Sequence, residues 1–171
     1  SSSAASDVYK RQALGSSIGV GGPRGSAVLN GTPGSWLLAG DETAIPAIRR
    51  FAALIPAGVA ARIVVETVSA GREIDIEAPV DIEWLHRGDA PSGSALISFL
   101  DDLAVEDPIG DDPFVFIAAE QSIVKPGRAL LDRWGIDSAN AVVKGYWKRG
   151  EAEYHACLLY TSDAADEEDS V

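Results

Sequence analysis

The sequence predicts an α/β fold with a five-stranded parallel doubly wound sheet, preceded by the end of a β domain. Short apolar or β-branched runs recur between residues 36 and 146, as expected of strands that are buried on both faces. Segments with apolar residues at helical spacing separate most of these runs. Strand–helix alternation of this kind produces parallel sheets with right-handed crossovers.

Five runs are predicted to be strands because each is apolar or β-branched and is bounded by glycine, proline or polar residues. They cover residues 36–39, 60–68, 81–85, 113–118 and 141–146. Residues 68–79, between the second and third strands, carry no convincing helical pattern and are predicted to form a loop.

The first helix is predicted for residues 42–54, directly after Gly40 ends the first strand. Asp41 can accept hydrogen bonds from amides of the first turn, and Pro46 is tolerated there because it has no amide to satisfy. Four apolar residues recur at helical spacing: Ile45, Ile48, Ala52 and Ile55.

Two further helices are predicted, each with an uncertain start. Residues 91–104 form the first of them, with Ser92 or Ser94 as its cap. Residues 120–134 form the second, which Pro126 and Gly127 are expected to interrupt, so that the firm part covers residues 128–134.

The two ends of the chain are predicted to be translated adapter DNA rather than native protein. One eleven-codon DNA word can encode residues 2–12, and its complementary strand, read one base out of frame, can encode residues 157–167. The word resembles the transposon-end adapter used in preparing sequencing libraries. Residues 1–12 and 157–171 are therefore left out of the fold prediction, although a genuine disordered N-terminus and acidic tail are the alternative.

The remaining residues, 13–156, divide into two parts. Residues 13–33 are rich in glycine and serine and are predicted to be the end of a preceding β domain, and residues 34–156 the α/β domain. The net charge of −12 becomes −8 without the two ends, which argues against nucleic acid or an anionic membrane as partner. No apolar run has the length of a membrane span and no secretory signal is visible, so a cytoplasmic protein is expected. The sequence carries no signal for an oligomeric state.

Motifs of the common catalytic sites are missing. The only cysteine, Cys157, lies in the suspect tail, and neither His86 nor His155 belongs to an HExxH pattern. There is no GxSxG motif and no phosphate-loop lysine. The sequence therefore predicts no catalytic side chain and no metal site.

Three polar or small-residue segments instead follow predicted strands, where ligands bind in parallel α/β sheets. One contains Gly40, Asp41, Glu42 and Thr43; another contains His86 and Arg87; the third contains Ala118, Ala119 and Glu120. Arginine can hold a phosphate by paired hydrogen bonds, and small residues permit close approach of a ligand to the backbone. Each segment also has a structural alternative: a helix cap, a solvated strand exit, or helix–sheet packing.

A fourth segment, GYWKRG, ends the last predicted strand at residues 145–150. Tyr146 and Trp147 could stack on a flat cofactor, while Lys148 and Arg149 could attract an anionic substrate. A hydrophobic plug with solvated charges is the alternative, which the residues by themselves favour.

Several of these motifs together resemble the siderophore-interacting protein family, flavin-dependent ferric-siderophore reductases of the ferredoxin-reductase-like superfamily. They are GPRGS, WLLAGDETAIPAI, EWLHR, the strand ending in AAE, and GYWKRG, in that order between residues 19 and 150. The resemblance implies that an FAD-binding β-barrel precedes an NAD(P)H-binding domain. It further implies that electrons pass from NAD(P)H through FAD to a ferric siderophore.

The resemblance also implies roles for individual residues. Gly40, Asp41, Glu42 and Thr43 would lie along the nicotinamide end of the nucleotide, and Arg87 would bind the adenosine phosphate. Ala119 and Glu120 would line the crevice, Tyr146 and Trp147 would lie near the flavin, and Lys148 and Arg149 would attract the siderophore. Two features depart from the family: Ala119 replaces the usual glycine, and the barrel's flavin-binding Arg-x-Tyr-Thr type motif is missing.

Two alternatives remain. A phosphoacceptor signalling domain would use Asp41 and Glu42 to hold Mg²⁺ and Lys144 after the fifth strand. It would also need an acceptor aspartate after the third strand, where this chain has His86 and Arg87. The other alternative is a nucleotide-binding module without catalytic activity.

Overall fold

A computed structural model of the chain describes residues 29, 31–103 and 110–152. Five parallel strands form one sheet in the order β3-β2-β1-β4-β5, which confirms the predicted fold class. The strands are β1 (Ser35–Asp41), β2 (Ala60–Thr67), β3 (Ile82–His86), β4 (Pro113–Glu120) and β5 (Ala141–Trp147). The helices are α1 (Ile45–Ala52), α2 (Ser94–Asp102) and α3 (Val124–Trp134).

The central strand β1 is buried along its whole length, because β2 and β4 flank it and helices cover both faces. Its alternating side chains enter two separate cores. Trp36 and Leu38 join the core beneath α1, whereas Leu37 and Ala39 join the core beneath α2 and α3. A continuous apolar run therefore corresponds here to a strand that is packed on both sides.

The first helix begins in two stages. Residues Glu42–Ala44 form a 3₁₀ turn, and α1 follows from Ile45. The carbonyl of Glu42 accepts from the Ile45 amide, since the next possible donor in an α-helix would be Pro46, which has no N–H. The predicted cap is confirmed, because the Asp41 carboxylate accepts from the Thr43 amide.

The predicted serine cap of the second helix is wrong. Gly93 occupies the capping position with a φ of 88°, and neither Ser92 nor Ser94 caps the helix with its side chain. The amides of Gly93 and Leu96 donate instead to the carboxylate of Glu66, which is distant in sequence. A tertiary contact therefore replaces the local capping residue.

The expected interruption of the third helix is also wrong, since α3 runs through Pro126 and Gly127. Pro126 is the third residue of α3, where an amide would have no partner within the helix. Gly127 lets α3 approach the sheet closely, because a Cβ there would lie 2.7 Å from Cγ1 of Val143. Both helix-breaking residues therefore suit their positions.

The predicted strands are all present, and their ends shift by at most two residues. Residues 68–79 form a loop with one short 3₁₀ turn, as predicted. Most of the predicted barrel remnant and both suspected adapter segments lie outside the described residues, so the domain division stays a prediction. No helix in the described ranges has the length and apolar character needed to cross a bilayer.

Candidate functional site

The carboxyl ends of the five strands form one edge of the sheet, and the segments singled out from the sequence all lie there. Between β1 and β4 the chain order reverses, because β1 continues to β2 on one side while β4 lies on the other. Crevices at such reversal points are the usual ligand sites of open α/β sheets. Asp41 and Glu120 end the two strands that border this point.

The Asp41 carboxylate joins three strands at this point. Its Oδ1 accepts from the amide and the hydroxyl of Thr43. Its Oδ2 accepts from the Glu120 amide at 3.1 Å and from the Trp147 Nε1 at 2.9 Å. The residue is only 3% exposed. We call Asp41, Glu120 and Trp147 the Asp41 corner.

Close backbone packing makes this corner possible. A Cβ on Gly40 would lie 2.5 Å from Cβ of Ala44 and 2.7 Å from the carbonyl oxygen of Ala118. A Cβ on Gly145 would lie 2.0 Å from Oε1 and 2.9 Å from Cα of Gln121. Two glycines are therefore required here for lack of space.

The side chains of Glu42 and Thr43 lie on the exposed side of the same turn. Glu42 Oε1 accepts from the buried Thr67 hydroxyl at the end of β2, at 2.9 Å. The turn after β1 is thus connected to the ends of both neighbouring strands. The predicted group Gly40 to Thr43 is brought together with Glu120 and Trp147.

Glu120 holds two backbone segments. Its Oε2 accepts from the Ser122 amide at 2.7 Å, and its Oε1 from the Arg149 amide at 3.4 Å. Its partial burial would raise the pKa of Glu120, but the hydrogen bonds from Ser122 and Arg149 outweigh burial and leave the pKa below its ordinary value. Glu120 therefore remains a carboxylate at neutral pH.

The remaining predicted residues of this corner differ in accessibility. Ala119 has no exposed surface and belongs to the core beneath α2 and α3. Tyr146 is 38% exposed. Partial burial raises the pKa of its phenol. Nearby Arg50 opposes this shift, and the charge of Asp41 adds to it. Lys148 forms an ion pair with Glu151 on the surface.

Glu66 is the functional candidate that sequence reasoning missed. It is 1% exposed and accepts from the amides of Gly93 at 2.6 Å and Leu96 at 2.9 Å. Arg87 lies beside it, with its Nε 3.6 Å from Glu66 Oε1 and its side chain 14% exposed. We call Glu66 and Arg87 the Glu66 corner. A glutamate directly after the buried apolar residues 63–65 of β2 was the available sequence signal.

One nitrogen of the Arg87 guanidinium, which carries two N–H donors, makes no hydrogen bond. This nitrogen, Nη1, is buried. Contact between this atom and a ligand requires the side chains above it to move. Glu66 offsets part of the positive charge, so Arg87 is an oriented donor rather than an isolated cation.

Helix N-termini at this edge already carry protein carboxylates. Asp41 accepts from the Thr43 amide, Glu120 from the Ser122 amide, and Glu66 from the first turn of α2. Such amides are where phosphate groups bind in many nucleotide sites. A phosphate at this edge would therefore depend on cationic side chains rather than on these amides.

The two corners lie at the same edge of the sheet. Arg87 follows the outer strand β3, and Tyr146 lies in the opposite outer strand β5. Four strand spacings separate them, about 19 Å. An extended dinucleotide can cover such a span.

The strand order decides against the phosphoacceptor alternative. Those domains follow the order 2-1-3-4-5, whereas this sheet follows 3-2-1-4-5. Lys144 is part of β5 instead of following it. Within the described ranges, no group of three or more histidine, cysteine, aspartate or glutamate residues is placed to hold a metal ion.

The sheet order and the similarity to solved structures define a class, the ferredoxin-reductase-like α/β domains. The family model described as "Siderophore-interacting protein" matches residues 34–150. The chain belongs to this family.

Relatives and solved structures agree with this assignment. The chain is 30% identical to "Ferric vibriobactin reductase ViuB" of Vibrio cholerae, over 82% of this chain and 54% of the relative. It is 29% identical to an uncharacterised protein of Mycobacterium tuberculosis, over 77% and 50% of the two chains. A siderophore utilization protein from T. fusca is 30% identical, with a TM-score of 0.65 over 75% of this chain and 50% of that one.

A more distant structure supports the fold only. The siderophore-interacting protein from Acinetobacter baumannii is 23% identical, with a TM-score of 0.60 over 85% of this chain and 59% of that one. The chain spans about half the length of the curated relatives it matches.

Proposed function

We propose that this chain is the NAD(P)H-binding part of a flavin-dependent ferric-siderophore reductase. The observation that carries the proposal is the Asp41 corner, where the GDETA, AAE and GYW segments meet at the reversal point of the sheet. Family membership and the resemblance to a ferric vibriobactin reductase support the choice of reaction. The substrate would be an Fe(III)-siderophore.

The described residues suit a dinucleotide that lies across the carboxyl edge. The turn containing Gly40, Asp41, Glu42 and Thr43 would lie along its nicotinamide end. Arg87 would bind the adenosine phosphate, because it holds an unpartnered Nη1 at the other corner. Ala119 and Glu120 would line the crevice between the Asp41 turn and Arg87. The methyl group of Ala119 would remain in the core, and its small size would permit close approach of the nucleotide to the backbone.

The aromatic residues at the end of β5 and the cationic residues that follow them would complete the site. Tyr146 and Trp147 would lie near the flavin, for which the exposed ring of Tyr146 is suited. Lys148 and Arg149 would attract an anionic siderophore on the same side. When bound, the nicotinamide and flavin supply the redox chemistry, and the side chains named here bind and orient.

Reduction would release the metal because the hard oxygen ligands of a siderophore bind Fe(III) far better than Fe(II). The chain would act in the cytoplasm, without nucleic acid as partner. A non-catalytic nucleotide-binding module is the second candidate, since the residues named here would bind a nucleotide and none of them would carry out the chemistry.

The test is nucleotide affinity in the complete protein. Arg87→Ala should weaken NADPH by about tenfold or more and NADH much less, because a charge-assisted hydrogen bond to the 2′-phosphate is lost. Arg87→Lys keeps a cation beside Glu66 and should show an intermediate loss. Arg62→Ala is the matched control, since Arg62 also pairs with a glutamate but lies in the first half of β2, away from the carboxyl edge. Equal losses for NADH and NADPH would contradict the phosphate role.

Flavin binding separates the reductase from the module. Added FAD should bind weakly or not at all to the 171-residue chain and fully once the upstream domain is restored. Absorbance of protein-bound flavin after gel filtration measures both. A complete protein that binds NADPH, but does not bind flavin and does not reduce a ferric siderophore, would support the module instead.

A further inference from the structure

The two carboxylates expected to touch the nucleotide use their oxygens within the protein. Both oxygens of Asp41 accept hydrogen bonds, from Thr43 on one side and from Glu120 and Trp147 on the other. Both oxygens of Glu120 accept from backbone amides. A carboxylate can only accept, and the four hydrogen bonds to Asp41 use two acceptor positions on each of its oxygens, so none is left for a donor of the nicotinamide end.

The other ends of these hydrogen bonds lie in one segment. Asp41 binds the Trp147 side chain, and Glu120 binds the Arg149 backbone. The segment 147–149 contains the last residue of β5 and the two residues that follow it. Two carboxylates from two different strands therefore hold it against the reversal point.

An irregularity in β5 brings Trp147 into this position. Ala119 pairs with Gly145, but the next residue, Glu120, pairs with Trp147, so that Tyr146 is the extra residue of a bulge. Bulges redirect side chains at the ends of strands. The indole N–H can only donate, and the almost fully buried Asp41 is its acceptor.

We propose that Asp41 is a positioning residue, which fixes the orientation of the Trp147 indole at the nucleotide crevice instead of binding the nucleotide itself. The role rests on the proposed function, because the oriented indole is expected to contact the bound dinucleotide or flavin. Glu120 assists by holding the backbone of the same segment.

The first experiment reads the indole directly. In ¹⁵N-labelled protein, Trp147→Phe identifies the Trp147 indole resonance among those of the four tryptophans. Asp41→Asn should move that resonance, since an amide replaces the carboxylate acceptor. Glu42→Gln is the matched control: it removes a charge from the same turn, but Glu42 binds Thr67 and should leave the resonance in place. An unmoved resonance in Asp41→Asn overturns the proposal.

The second experiment is a double-mutant cycle on NADPH affinity in the complete protein. Asp41→Asn and Trp147→Phe should each weaken binding by about tenfold, and the double variant no further, because both changes remove one interaction. Losses that multiply would mean that Asp41 acts on the nucleotide independently, and would overturn the positioning role.

The proposal can still be tested if a variant does not fold or if the complete protein binds no nucleotide. If Asp41→Asn does not fold, Trp147→Phe by itself must weaken NADPH while its remaining amide spectrum is preserved, and unchanged affinity overturns the proposal. If the unaltered complete protein binds neither NADH nor NADPH, the proposed function fails, and the indole resonance still decides whether Asp41 orients Trp147.

Discussion

The Asp41 corner and the Glu66 corner each stabilise a buried carboxylate, but with different partners. Each places a buried carboxylate at the end of a strand and directs it to the first amides of a helical segment. Asp41 accepts its hydrogen bonds from uncharged donors, whereas Glu66 lies beside the Arg87 guanidinium. The difference indicates that Asp41 fixes the positions of the segments that donate to it, whereas Glu66 balances the charge of Arg87.

The largest expected effect tests this distinction on stability. Glu66→Gln leaves the Arg87 charge buried without its counter-ion and should lower the free energy of unfolding by about 3–5 kcal/mol. Asp41→Asn leaves only neutral partners short of an acceptor and should cost about 1–3 kcal/mol. Denaturant unfolding measures both.

A double variant serves as the control for that comparison. Glu66→Gln combined with Arg87→Met removes the uncompensated charge and should recover part of the loss. If Asp41→Asn proves as costly as Glu66→Gln, or if Arg87→Met brings no recovery, charge balance does not distinguish the two corners.

A smaller effect is expected from the space available at each corner. A Cβ on Gly40 would lie 2.7 Å from the carbonyl oxygen of Ala118, whereas at Gly93, which donates to Glu66, the nearest atom would be 3.4 Å away. Gly40→Ala should cost about 1–3 kcal/mol, since Ala118 backbone must shift. Gly71→Ala, where the nearest atom is 4.0 Å away, is the matched control and should stay within about 0.5 kcal/mol. Equal thermal midpoints for the two variants would contradict the close-packing argument.

The smallest effect is the pH dependence of the Glu120 contacts. Because the pKa of Glu120 lies below its ordinary value in the folded chain, its stabilising contribution is present above about pH 4.3 and is lost as the pH falls through the lower, folded pKa. Amide exchange at Ser122 and Arg149 should therefore accelerate beyond its intrinsic pH dependence in that acidic range. Glu120→Gln should remove this extra pH dependence, and a retained acid transition in that variant would assign it to another group.

Local patterns were informative wherever one segment decides its own structure. The apolar run of β1 and the Asp41 cap of the first turn were both predicted and are both present. Pro126 shows the limit of such rules, because its effect depends on whether it falls in the first turn or the interior of a helix. A 3₁₀ turn follows β4 directly and α3 follows that turn, so Pro126 falls near the start of the helix. The residues of α3 by themselves do not reveal this position.

The candidate site could be located but not resolved from the sequence. Strand ends predicted that Gly40 to Thr43, Glu120 and Trp147 share one edge of the sheet, and they do. Glu66 escaped notice because its partners, Gly93 and Leu96, are 27 and 30 residues away and are reached only across the sheet. Ala119 lies at the same strand end, with its methyl group in the core, and its predicted place beside the nucleotide stays a prediction.

The amino-acid sequence by itself determined the parallel α/β class, its five strands and the edge where polar residues collect. Periodicity and strand-end chemistry are local properties, so they can be recognised in the sequence without the tertiary structure. Only the tertiary structure decided what each carboxylate binds. A buried carboxylate takes whichever donors the fold brings within reach, and for Asp41 and Glu66 these donors come from distant segments as well as from the adjoining turn.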